Sequence, residues 1–142
     1  MDAGEDAPSR WSCADPADES SKVRGGGFFL DHAVCNLTAC TLSNLAAIGR
    51  KPIAGAIRAA DSTLVVSACL ISDCASVGME RAETGGVRVM HSYFTLINSV
   101  MRNCSARSTE LDQPGAYAEA GAIYVEQSTV QLLGSSLIAC SA

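Results

Sequence analysis

The sequence predicts an all-β chain, a right-handed parallel β-helix (solenoid) of about four coils. Three observations predict it. Segments beginning at Gly26, Gly55, Gly85 and Gly121 align over 22 residues without a gap, giving coils 26–47, 55–76, 85–106 and 121–142. Their apolar residues fall into columns spaced by two, the strand period. The connecting stretches 48–54, 77–84 and 107–120 absorb all the length variation and carry Pro52, Gly78 and Gln113-Pro114-Gly115, which are turn signals.

The columns are the firmest of these. Phe28, Ile57, Val87 and Ile123 stand two residues after each lead glycine, and Leu30, Ala59, Val89 and Val125 two further on. A second pair holds Cys35, Leu64, Phe94, Val130 and Leu37, Val66, Leu96, Leu132. A third holds Leu42, Ile71, Met101, Leu137 and Leu45, Cys74, Cys104, Cys140. Each unit therefore reads as two clear strands and a third, less regular segment, all turning one apolar edge inward. Such a unit cannot bury its own inner face. Stacking copies in parallel, about 4.8 Å apart, turns each column into a continuous apolar ladder. A helical reading fails because the apolar positions do not recur at three and four, and Gly49, Pro52 and Gly55 break the Ala-rich stretch 45–60.

Composition narrows the function. The 142 residues are 48% apolar but only 5% aromatic, so the core is built from aliphatic side chains and cysteine. The net charge is −5, and Asp2, Glu5, Asp6, Asp15, Asp18 and Glu19 crowd the acidic segment 1–24, expected to be disordered or an incomplete coil. Trp11-Ser-Cys13-Ala loosely mimics the end of an earlier coil. With dispersed Lys and Arg, this balance argues against nucleic acid. No stretch approaches the apolar length of a membrane span, and the N-terminus has no signal-peptide pattern. The open apolar end of the fourth unit suggests a fragment of a longer solenoid.

With its Gly-Gly-Gly-Phe (25–28), Gly-Ala-Ile (55–57), Gly-Gly-Val (85–87) and Gly-Ala-Ile (121–123), the chain resembles the repeats of polymorphic outer membrane proteins and the wider pectate-lyase-like superfamily. These segments look like that family's Gly-Gly-Ala-Ile motif. Its Phe-x-x-Asn companion is degenerate, appearing as Leu42-x-x-Leu45, Ile71-x-x-Cys74, Met101-x-x-Cys104 and Leu137-x-x-Cys140. The resemblance covers residues 25–142. It implies an extracellular or surface-displayed passenger, often adhesive, with glycans or cell-surface proteins as partners. A carbohydrate-active lyase or hydrolase of the same fold is the alternative.

Candidate sites are few, and no catalytic set emerges. His32, Asp61, His91 and Gln127 form an outward column where the first strand turns a corner. An alternating His–Asp–His ladder can bind a metal or work as acid and base on a sugar, although corners are also polar simply because they are solvated. Arg58 and Arg88 stack on the outer face of the first strand between Phe29 and Tyr124, a pattern suited to a sugar or anion stripe. Like-charged neighbours one strand apart are, on the plainer reading, expected to splay into water. Asp31, Asp61, Asp73 and Glu126 scatter over different faces, while Glu80, Glu83, Glu110, Asp112 and Glu119 fall in the variable loops, no two placed to cooperate.

Of the seven cysteines, Cys74, Cys104 and Cys140 share one column and Cys40 and Cys69 another. Parallel stacking holds their Cβ atoms wider than a disulfide prefers, so they read as free thiols filling the core. Metal spacing of the Cys-x-x-Cys kind is absent, and neither a metal nor a cofactor is expected. Asn36-Leu-Thr38 and Asn103-Cys-Ser105 are candidate N-glycosylation sequons at outward positions.

Overall fold

The computed structural model describes residues 26–110, 114 and 116–142. The acidic segment 1–24, with Trp11 and Cys13, lies outside the described residues, as do Gly25, Asp112, Gln113 and Gly115. Every element among the described residues is a strand. The first repeat carries β1 (Phe28–Asp31), β2 (Val34–Thr38), β3 (Thr41–Ser43) and β4 (Ala46–Gly49). The second carries β5 (Ile57–Ala60), β6 (Thr63–Ser67), β7 (Leu70–Ser72), β8 (Ala75–Gly78) and β9 (Arg81–Thr84). In the third are β10 (Val87–Met90), β11 (Tyr93–Ile97), β12 (Val100–Arg102), β13 (Ser105–Ser108) and β14 (Tyr117–Ala120). The last has β15 (Ile123–Glu126), β16 (Thr129–Leu133) and β17 (Ser136–Ile138).

Equivalent strands of successive repeats pair in parallel, in the orders β1-β5-β10-β15, β2-β6-β11-β16 and β3-β7-β12-β17. The architecture is thus a stack of parallel strands in register, as a parallel β-solenoid requires. Registers follow the apolar columns: Phe28 faces Ile57, Val87 faces Ile123, and Leu96 faces both Val66 and Leu132. Leu64, Val66, Ile71, Val87, Val89, Phe94, Leu96 and Met101 are completely or almost completely buried in one continuous core.

Two further sheets, β4-β8-β13 and β9-β14, correct the sequence expectation of two strands and an irregular third with variable loops between. The stretches 77–84 and 107–120 begin and end in strand. Their inward positions hold small or polar residues, Ala47, Ser76, Ala106, Ala82 and Thr84, all buried. Such side chains give no apolar alternation to read.

Three sharp corners in each repeat rest on left-handed residues. The first takes His32, Asp61, His91 and Gln127 at φ between 46° and 49°. The second takes Ala39, Ala68, Asn98 and Gly134, and the third Asn44, Asp73, Asn103 and Ala139, again all at positive φ. This region is strained for residues with a Cβ but least so for Asn and Asp. After the bend comes a residue that ties neighbouring repeats together. Ser92 Oγ accepts from the Ser62 amide at 2.8 Å and donates to the Met90 carbonyl at 2.6 Å. Ser62 does the same for Ala33, and Ser128 for Ser92. At the second corner Ser99 and Ser135 play the same part for Cys69 and Ser99, and cysteine replaces serine once, where the Cys40 amide donates to Cys69 Sγ at 3.3 Å and Cys69 Sγ donates to the Ser67 carbonyl.

The lead glycines mark a close crossing of backbone. A Cβ on Gly55 would strike the Gly85 carbonyl oxygen and the Ala75 backbone, and one on Gly85 the Ser105 backbone. Only glycine lets the turn into the first strand pass the fourth strand at this separation.

Candidate functional site

Along the outer face of the first sheet, Phe29, Arg58, Arg88 and Tyr124 occupy one register column. Alternation with the buried Val87 and Val89 points Arg88 outward, yet it is only 8% exposed. The next strand upstream explains this. On β9, Ala82 and Thr84 face inward, so Arg81 and Glu83 face outward, and Glu83 is itself only 6% exposed. Outward side chains of β9 and β10 converge across the Gly85-Gly86 turn, which makes this outer corner concave.

A charged cluster fills the corner. Arg88 Nη1 donates to Glu83 Oε2, and Arg88 Nη2 to Glu126 Oε2 at 3.2 Å. Arg81 Nη2 lies 3.0 Å from Glu83 Oε1 and 3.1 Å from Glu119 Oε1, joining carboxylates from two repeats. Three guanidiniums stand over aromatic rings: Arg58 over Phe29 at 4.8 Å, Arg81 over Tyr117 at 4.8 Å and Arg88 over Tyr124 at 5.1 Å. Within this cluster Arg88 Nε, Arg81 Nε and Glu119 Oε2 are buried with no hydrogen-bond partner among the described residues.

Two expectations change here. Arg58 and Arg88 do not splay into water; carboxylates and rings hold them in place. Glu83 and Glu119 do not sit in loops, because both lie on paired strands and meet at one guanidinium nitrogen. Glu80 stands at the start of the same stretch with Lys51 and Arg50, which hold its carboxyl below the ordinary carboxylate range. Glu110 does stand in the loop after β13. The overlooked signal is the match of Arg81-Ala-Glu-Thr-Gly85 to Tyr117-Ala-Glu-Ala-Gly121, which extends the repeat upstream of its lead glycine.

The His–Asp–His column lies at the first corner, at the far end of the first strands from the Gly85-Gly86 turn; His91 follows Arg88 by three residues. His32, Asp61, His91 and Tyr93 border a shallow open hollow. His32 Nδ1 is 2.8 Å from Asp31 Oδ1, and donor atoms of Asp31, His32 and Asp61 lie within 4.8 Å of one another, all on exposed side chains. His91 is instead hydrogen-bonded to Gln127. The left-handed bend is sufficient to explain the polar residues of this column.

Both sequon asparagines are exposed: Asn36 in the middle of β2, and Asn103 at a left-handed corner with its side-chain amide 3.2 Å from Asp73 Oδ1. The six described cysteines are all free. Burial raises the Cys35, Cys69 and Cys140 thiols above their ordinary value. A hydrogen bond between Cys74 and Cys104 favours the Cys74 thiolate and pushes Cys104, which is also buried, far above the usual thiol range. Among the described residues no helix is long and apolar enough to cross a membrane. Comparison with protein-family models, curated proteins and solved structures finds no match to this chain.

Proposed function

We propose that residues 26–142 are four coils of a right-handed parallel β-helix of the polymorphic outer membrane protein and pectate-lyase-like kind. The module is non-catalytic and adhesive, displayed outside the cell as part of a larger protein, and it takes a glycan on the concave outer corner. One observation carries this reading: the column Phe29–Arg58–Arg88–Tyr124, in which guanidiniums lie over rings and Glu83 and Glu126 fix Arg88. Sugars stack their apolar faces on aromatic rings and offer hydroxyls to planar, fixed donors. Rigid placement lowers the ordering cost of binding. Exposure of Asn36 and Asn103 fits glycosylation along a secretory route.

The test is retention on a panel of acidic and neutral polysaccharides, with Arg58→Ala and Tyr124→Ala against Arg102→Ala on another face. Loss of retention in the first two, with Arg102→Ala unchanged and all three folded by circular dichroism, supports the reading. Equal retention by all three removes it.

A second reading, a polysaccharide lyase or hydrolase, draws on the carboxylates gathered in the same corner. Glycoside hydrolysis needs one carboxylic acid to protonate the leaving oxygen. Glu83 and Glu119 are both paired with the Arg81 guanidinium, each through one carboxylate oxygen. That geometry suits electrostatic anchoring better than acid catalysis. Release of reducing ends or unsaturated products, abolished by Glu119→Gln or by Asp61→Ala, would establish the enzyme instead.

A further inference from the structure

The left-handed bend explains why polar residues follow the first strand, but it does not explain Asp31. This residue ends β1, one position before the bend, where the equivalent strands carry Ala60, Met90 and Glu126. Its carboxylate turns to the neighbouring ring, with His32 Nδ1 2.8 Å from Asp31 Oδ1. Asp61, at the same bend of the next repeat, adds a third group, and one ligand atom from each of the three lies within 4.8 Å of the others.

That spread fits a single ion. A divalent transition metal bound at about 2.0–2.2 Å to imidazole nitrogen and carboxylate oxygen sets neighbouring ligand atoms roughly 3–4 Å apart. All three side chains are exposed, so small rotamer changes close the difference. The shallow hollow bordered by His32, Asp61 and Tyr93 leaves the remaining coordination positions open to water.

Charge points the same way. Glu83, Glu119 and Glu126 each face a guanidinium. Among the described residues neither Asp31 nor Asp61 is paired with Lys or Arg, and the one ion-pair partner of Asp31 is His32, which carries charge only when protonated. A divalent cation neutralises both carboxylates at once. One imidazole with two carboxylates suits zinc and its transition-metal neighbours, whereas calcium gathers six to eight oxygens.

We propose that Asp31, His32 and Asp61 bind a divalent transition-metal ion, zinc being the probe, between the first two repeats and outside the charged cluster. No contiguous spacing motif marks the site, because the third donor comes from the next repeat and meets the others only when the repeats stack. His91, one repeat further on, is engaged by Gln127 instead.

The chain has only two histidines, so imidazole NMR signals of the 142-residue protein report the site without ambiguity. His91→Gln assigns them, since Gln127 already occupies the equivalent bend. Zinc chloride, titrated to an excess over the seven cysteines, should move the His32 signals saturably and leave those of His91 in place. Asp31→Asn and Asp61→Asn should each weaken the response by about tenfold or more, since losing a ligand costs at least what losing its outer-shell support does. Asn tolerates the left-handed bend as Asp does, so circular dichroism should stay unchanged. Asp73→Asn, the left-handed aspartate of the third corner, should bind as the parent does. His32 signals that do not move overturn the proposal, as do equal shifts of both histidines, parent affinity in either Asp31→Asn or Asp61→Asn, or an equal response to calcium.

Discussion

Replacing Arg88 by alanine probes the charged corner most sharply. The side chain is 9% exposed and is held by Glu83, itself 8% exposed, and by Glu126. Removing one partner of a buried pair leaves an uncompensated charge and costs about 3–5 kcal/mol. Arg81 still contacts the Glu83 Oε1 atom, which places Arg88→Ala at the lower end, about 3 kcal/mol. Glu83→Ala should cost a similar amount, since it strands Arg88 against the half-exposed Glu126 alone. The double substitution removes both charges together, so its cost should fall short of the sum by about 2 kcal/mol, the coupling of a close pair. Guanidinium unfolding followed by circular dichroism measures all four proteins. Single substitutions costing less than about 1 kcal/mol, the range of exposed pairs, would refute the buried cluster, as would strict additivity.

Gly85→Ala should destabilise by about 3 kcal/mol, because the new methyl meets rigid backbone at Ser105 rather than a side chain able to swing away. A melting temperature within two or three degrees of the parent (about 1 kcal/mol for a chain of this size) would contradict that. Ser92→Ala should cost about 1–3 kcal/mol by orphaning the buried Ser62 amide, whereas Ser92→Cys should cost less, since Cys69 already accepts the equivalent amide at the second corner. Equal losses would show that the hydroxyl ladder is incidental. Among the described thiols, buried Cys69 and Cys104 should resist a water-soluble disulfide reagent in the native state and react on unfolding, while half-buried Cys40 reacts first. Mass-resolved labelling with native protection at neither Cys69 nor Cys104 would count against the packing.

Much of the fold was legible because the inner columns are aliphatic and recur at two. Pairs such as Phe94 with Leu64 and Val130 could be drawn from the aligned repeats, and the structure pairs them so. The fourth and fifth strands were not legible. Ala82, Thr84 and Ser76 fill their inner positions with side chains that carry no apolar signal, and the loop between β13 and β14 changes the spacing from repeat to repeat. For that reason Glu83 and Glu119 read as loop acids, and the cluster around Arg88 stayed hidden although Arg88 itself stood out. The corner residues show the opposite case. His32, Asp61 and His91 suggested chemistry by their type, yet a left-handed bend in each repeat accounts for their place, and Ala68 or Asn98 serves the same geometry at the next corner.

Parallel stacking in register underlies both the core and the charged corner, and nuclear Overhauser contacts between backbone protons test it directly. Stacking of this kind predicts sequential parallel-strand contacts linking Leu37, Val66, Leu96 and Leu132, with Leu96 touching both Val66 and Leu132. An antiparallel pattern, or a register in which Leu96 meets Val65 or Gln131 instead, would contradict it.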